Sequence, residues 1–142
     1  MTDAGHRTIS RTVQKTNEVL KEIERVSGWP EERRGQSYDA LRAVLHALRD
    51  RLPVEEAAQL AAQLPTLIRG IYYEGWDPSR VPIKMSREEF LERVRKEFPF
   101  QIDGDIEDLV RTVLSALRRY VTEGEMEEVR STLPKDLQEL VA

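Results

Sequence analysis

Two polar side chains one helical turn apart are the first candidates for chemistry in this sequence. His46 and Asp50 are four residues apart, so on a helix they share a face and could form a proton-transfer dyad or half of a metal site. The neighbouring arginines, Arg42 and Arg49, favour instead a solvated, charged helix face. The second histidine, His6, falls in a segment expected to be a mobile tail. We therefore expect no metal and no cofactor.

A group of arginines offers a second kind of chemistry, the binding of a small anion. Guanidinium groups hold phosphate or carboxylate through two parallel hydrogen bonds, and Arg49, Gln63 and Arg69 are the candidate contacts. The alternative is a structural network in which these side chains and Asp50 tie helices together. The pattern favours the structural network.

Three aromatic residues lie within five positions of one another. Tyr72, Tyr73 and Trp76 would form a recognition surface if they were exposed, and would pin the neighbouring chain if they were buried. Burial is the more common fate of large aromatics at the end of a helix. Both interpretations stay open here.

Other catalytic patterns are missing from the sequence. It has no Gly-rich phosphate loop, no Gly-x-Ser-x-Gly elbow and no His-Glu-x-x-His motif. Asp103, Gly104 and Asp105 lack the ligand spacing of a calcium loop and are typical of a helix cap. The sequence leaves enzymatic activity uncertain and favours its absence.

The elements that must position these residues are all predicted to be helices. Apolar residues recur at spacings of three and four, which is the pattern of amphipathic helices, and no segment alternates over the length of a strand. Helix starts are predicted at about Thr8, at Ser37, at Pro53 and after Pro65. The pattern begins again with a capping box at Ser86 and Glu89, and continues with starts at Asp105, at Thr122 with Glu125 as its capping partner, and at Pro134.

The second half of the chain repeats the first with a constant shift of 69 residues. Nine residues between Arg42 and Pro65 have identical counterparts between Arg111 and Pro134, among them Arg49 with Arg118 and Glu56 with Glu125. We therefore expect one all-α domain over residues 1–142. Its first helical repeat covers 8–75, its linker 76–85 and its second repeat 86–142. The two repeats should pack about a pseudo-twofold axis.

Composition narrows the class of protein. The chain has 142 residues, no cysteine and a net charge of −4, which argues against a general affinity for nucleic acid. It has neither an apolar leader nor a segment that could span a membrane. A cytoplasmic protein that does not bind membranes is the expectation.

The stretch from Leu41 to Ser79 resembles the signature of a bacterial family called domain of unknown function 2267. The resemblance rests on Leu48 to Leu52 (LRDRL), Ala62 to Pro65 (AQLP) and Arg69 to Trp76, with Thr16, Asn17 and Leu20 near the start. It implies a helical bacterial protein without an assigned activity, and a stress-associated role. Val19 stands where the family often has a large aromatic residue.

The first hypothesis for function is a non-enzymatic interaction module that self-associates or binds a protein through Tyr72, Tyr73 and Trp76. The second is a sensor that holds a small anion between the halves. The third is an enzyme using His46 and Asp50.

Overall fold

A computed structural model describes residues 3–102 and 104–142, and these residues form eight α-helices and no strand. The helices are α1 Asp3–Ser27, α2 Arg34–Arg51, α3 Val54–Gln63, α4 Thr66–Tyr73, α5 Arg87–Glu97, α6 Ile106–Leu117, α7 Glu123–Thr132 and α8 Lys135–Gln138. Single 3₁₀ turns lie at Glu31–Arg33, Pro78–Arg80 and Glu139–Val141. The prediction of an all-α chain is confirmed.

The local signals in the sequence explain most helix starts. Ser86 and Glu89 form the predicted capping box at the start of α5, and the Thr122 side chain accepts a hydrogen bond from the Glu125 amide at the start of α7. Asp105 precedes α6 without a side-chain cap bond, and Asp103 lies outside the described residues.

Two predicted starts are wrong. Helix α1 begins at Asp3, so His6 lies in a helix and not in a tail. Helix α2 begins at Arg34, and Ser37 is not its cap. The Ser37 hydroxyl is buried inside α2 and donates to the Glu24 carboxylate of α1, which Arg34 also contacts. Ser37 therefore joins two helices where the sequence pattern indicated a helix boundary.

One apolar core runs through both halves of the chain. Helix α2 occupies its centre and packs against α1, α4, α5 and α6, while α1 also packs against α6 and α3 packs against α7. Every residue of α2 from Ala43 to Asp50 is buried. Polar side chains in that stretch must consequently find their partners inside the protein.

Candidate functional site

A cluster of charged side chains lies between α2, α4 and α5. We call it the central polar cluster; it consists of His46, Arg49, Asp50, Arg93 and Glu97. Helix α2 supplies the first three residues and α5 the other two, because the i and i+4 positions of α5 place Arg93 and Glu97 on the face that packs against α2. The cluster lines a cavity of about 540 Å³.

His46 is held by hydrogen bonds at both ring nitrogens. Its Nδ1 lies 3.0 Å from Glu97 Oε2, and its Nε2 lies 2.8 Å from the carbonyl oxygen of Ile71. Both partners are oxygen atoms, so each of the two ring nitrogens faces a group that can accept a hydrogen bond. With both nitrogens engaged, His46 has no free nitrogen with which to take a proton from a substrate.

The prediction of a solvated face for His46 and Asp50 is wrong. His46 is 3% exposed and Asp50 is 7% exposed. Helix periodicity placed them opposite Leu45 and Leu48 correctly, but α4 and α5 cover that side as well. The two residues do not contact each other in a dyad, because Asp50 instead accepts hydrogen bonds from Arg49 and Arg93.

Asp50 is the anionic centre of the cluster. Burial acts against its ionisation, but the hydrogen bonds from Arg49 and Arg93 outweigh that effect and lower the pKa of its carboxyl. Its backbone carbonyl also accepts a bond of 2.8 Å from the amide of Ile83, in the segment between α4 and α5. Asp50 thus fixes that segment against α2.

Arg49 uses its guanidinium to hold the end of α4. Its Nη1 donates to the carbonyl oxygens of Tyr72 and Glu74 at 2.8 and 2.6 Å, and its Nε donates to Asp50 at 2.9 Å. The residue is 2% exposed. These contacts are those of a helix-joining network, the structural alternative that the sequence favoured.

The structure brings together two of the three candidate anion contacts. Gln63 and Arg69 line a second cavity, of about 250 Å³, whereas Arg49 lines the larger one. Arg69 donates from Nε to the Ala61 carbonyl at 2.8 Å and from Nη2 to the Leu64 carbonyl at 2.9 Å, so it caps the end of α3. Gln63 Oε1 accepts from the Thr122 amide at 2.8 Å.

The aromatic residues pack mainly inward. Tyr72 is fully buried, and its hydroxyl donates to the Ala57 carbonyl at 2.9 Å. Tyr73 and Trp76 are partly buried, with ring centroids 5.2 Å apart. Only Tyr73 and Trp76 therefore retain surface that a partner could contact.

The family described as "Uncharacterized conserved protein (DUF2267)" matches residues 16–140. The chain belongs to this family. None of the curated proteins compared with the chain matches it.

The DUF2267 match contains the whole central polar cluster and begins at Thr16, the first buried residue of α1. The first half of α1, residues 3–15, precedes the match and is mostly exposed. Among the described residues of this family member, no group of three or more side chains could hold a metal ion. The described helices also include none that is long and apolar enough to cross a membrane.

Sequence reasoning missed three polar groups of this DUF2267 member. Arg93 and Glu97 could have been found from their i, i+4 spacing on one helix face, but that spacing is also common on solvated helices. The Glu56 and Glu125 pair was visible as an identity between the halves. The Glu24 contact with Ser37 had no local signal, since it joins residues on two different helices.

Proposed function

We propose that this protein is a non-enzymatic interaction module that self-associates through an uncovered apolar strip on α1. We call this strip the α1 seam; it consists of Ile9 and Val13. The observation that carries the proposal is that the buried stripe of α1 continues, at the same spacing, into residues that are exposed to solvent. The engagement of both His46 nitrogens supports the non-enzymatic part.

The seam has the spacing of a helix that packs against another helix. Ile9, Val13, Thr16, Leu20 and Ile23 follow one another at intervals of four, three, four and three residues. The last three are buried against the body of the protein. Ile9 and Val13 are 49% and 42% exposed, although nothing in their residue type distinguishes them from the buried part of the stripe.

The distribution of charges on α1 is compatible with a second copy of this chain as the partner. Ser10, Gln14 and Asn17 lie beside Ile9 and Val13 and are uncharged. The two charged neighbours, Glu18 and Lys21, have opposite signs, so two copies can meet along the seam without a net charge repulsion. The cations Arg7 and Arg11 lie on the opposite side of the helix by its 3.6-residue period. A paired seam would cover Ile9 and Val13 of both copies.

The test is the mass of the protein in solution, measured by size-exclusion chromatography with light scattering. We expect the wild type to have twice the chain mass of 16.5 kDa at micromolar concentration. A double variant, Ile9→Glu with Val13→Glu, should have the single-chain mass. Val26→Glu is the matched control, because Val26 is 52% exposed on the same helix but outside the seam, and it should leave the dimer intact. A monomeric wild type, or a dimer that survives the double change, contradicts the proposal.

We further propose that the fold is a tandem duplication whose two units meet about a pseudo-twofold axis between α3 and α7. The same bond recurs at a shift of 69 residues in two places. Arg49 donates to the Tyr72 carbonyl and Arg118 to the Val141 carbonyl. Arg69 donates to the Leu64 carbonyl and Gln138 to the Leu133 carbonyl.

The bounds of α3 and α7 support the same proposal. Val54–Gln63 and Glu123–Thr132 differ by 69 at both ends, and these two helices pack against each other. An axis between them would bring each residue near its own counterpart, and Glu56 and Glu125 do form a hydrogen-bonded pair. The repeat bounds 8–75 and 86–142, joined by the linker 76–85, belong to this proposal.

A cytoplasmic location and a stress-associated role in bacteria are proposals of a different kind. They rest on the cysteine-free composition and on the family resemblance. Binding through Tyr73 and Trp76 is the alternative docking site, and the variants above distinguish it because they leave both aromatics unchanged.

A further inference from the structure

The cavity of about 250 Å³ lies between the first half of α1, the turn from α3 to α4, and Tyr120. We call it the α1–α4 cavity. Its volume corresponds to roughly eight water molecules at about 30 Å³ each. It is therefore large enough for a phosphate group with a small organic substituent. It lies on a different side of α1 from the seam.

The lining of this cavity is positively charged. Arg11, Lys15 and Arg69 line it, and none of the described carboxylates does. Glu18 is near, but its side chain accepts a hydrogen bond from the Tyr120 hydroxyl at 2.5 Å and does not line the cavity. Three cations around one small space repel one another, and an anion placed among them would relieve that repulsion.

Arg69 is held in place by some of its N–H groups, while others remain available to a ligand. Its Nε and Nη2 bind the carbonyl oxygens at the end of α3, which orients the guanidinium, and its Nη1 has no hydrogen-bond partner among the described residues. A fixed guanidinium with free N–H groups binds an oxyanion with little loss of side-chain entropy. Arg11 is exposed and takes part in none of the ion pairs found among the described residues, so its charge is also available.

Two threonines add hydroxyl groups at the same place. Thr12 Oγ1 accepts a bond of 2.8 Å from the Leu67 amide, so its hydroxyl hydrogen is free to donate to a ligand. Thr66, the first residue of α4, also lines the cavity. The start of α4 contributes the positive end of a helix dipole to the same space.

We propose that the α1–α4 cavity binds a phosphate dianion, either free or as the monoester of a small metabolite, through Arg11, Lys15, Arg69 and Thr12. Phosphate is favoured over a monocarboxylate because one compact dianion can contact several cations at once. This site retains Arg69 and Gln63 from the sequence hypothesis of an anion sensor and leaves Arg49 out. It does not depend on self-association through the seam.

The experiment is a titration of the full-length protein with inorganic phosphate and, separately, with glycerol phosphate. Binding is followed by backbone amide shifts in nuclear magnetic resonance spectra at constant ionic strength, with sodium chloride as the reference salt. We expect saturable shifts at Thr66, Leu67 and Tyr120. Tighter binding of glycerol phosphate identifies a small ester as the ligand, and tighter binding of inorganic phosphate identifies the free ion.

Two variants and one control make the test specific. Arg11→Gln with Lys15→Gln should weaken binding about tenfold or more, since two charge-assisted contacts are lost. Both residues are on the surface of α1, so the fold should persist. Arg7→Gln removes a cation from the same helix outside the cavity and should leave the affinity unchanged. Absence of saturable shifts at millimolar phosphate, or equal weakening by Arg7→Gln, overturns the proposal.

Discussion

Glu56 of α3 and Glu125 of α7 meet carboxyl to carboxyl in the interface between those helices. Both residues are buried, and within the described part of the chain the Oε2 atom of each has no hydrogen-bond partner. Burial, together with the hydrogen bond that the protonated Glu125 carboxyl donates to Glu56, raises the pKa of Glu125 to about 8. A proton on the Glu125 carboxyl is therefore part of the folded structure near neutral pH.

The first prediction is a loss of stability with rising pH that depends on this pair. The folded protein keeps a proton on Glu125 that the unfolded chain releases near its ordinary pKa of 4.5. Its contribution is present below pH 4.5 and is lost as pH rises toward about 8, by at most about 1.4 kcal/mol per pH unit.

Glu125→Gln should reduce this slope and raise the free energy of unfolding at pH 8, because the amide stays neutral. Urea denaturation between pH 5 and 8.5 measures the difference from the wild type. Glu55→Gln, an exposed change on α3, should leave the slope intact. Parallel pH profiles for the wild type and Glu125→Gln would show that the pair holds no proton.

The second prediction compares the two histidines. His46→Ala removes a buried ring, leaves Glu97 without its imidazole partner and removes one of the two hydrogen bonds to the Ile71 carbonyl, so it should lower the free energy of unfolding by about 2–4 kcal/mol. His6→Ala, on the exposed start of α1, should change it by less than about 0.5 kcal/mol. Thermal denaturation of both variants is the measurement, and similar losses would contradict the role given to His46.

The third prediction compares two arginines, Arg49 and Arg118, which lie 69 residues apart in the sequence. Arg49→Lys should cost about 2 kcal/mol, because one ammonium cannot replace a planar group that bonds Asp50, Tyr72 and Glu74 together. Arg118→Lys should cost about 1 kcal/mol or less, since Arg118 makes one bond, to the Val141 carbonyl. Chemical denaturation measures the free energy of unfolding of the two variants. A larger loss for Arg118→Lys than for Arg49→Lys would contradict the prediction.

The fourth prediction uses two glycines with open space around them. Gly75 has φ of 75°, whereas Gly70 lies inside α4, and a Cβ at either would meet nothing within 4 Å. Gly75→Ala should therefore destabilise the protein by about 1–2 kcal/mol through backbone strain. Gly70→Ala should stabilise it by about 0.5–1 kcal/mol through helix propensity. Melting temperatures that move in the same direction would refute this explanation.

The helices were predictable because local signals encode them. Ser86, Thr122 and the prolines before α3, α4 and α8 mark helix starts within a few residues, and apolar spacing identifies the buried stripes. The burial of His46 was not predictable in this way. Periodicity within α2 shows which residues share a face, but only the packing of α4 and α5 determines that the polar face is covered too.

The candidate sites were predictable only in part. Gln63 and Arg69 are six residues apart and share one helix junction, so their proximity follows from local structure. Arg11 and Lys15 reach the same cavity from α1, more than forty residues earlier in the sequence. No spacing rule within one helix connects such distant positions.

The packing of α1 against α6 has a consequence for synthesis of the chain on the ribosome. The surface of α1 that packs against α6 is covered only after α6, which ends at Leu117, has been made. At about 5–20 residues per second, that interval is on the order of ten seconds. Throughout it, the nascent first half carries an apolar surface that its own helices do not cover. The two halves therefore complete their folding together, after translation has passed α6.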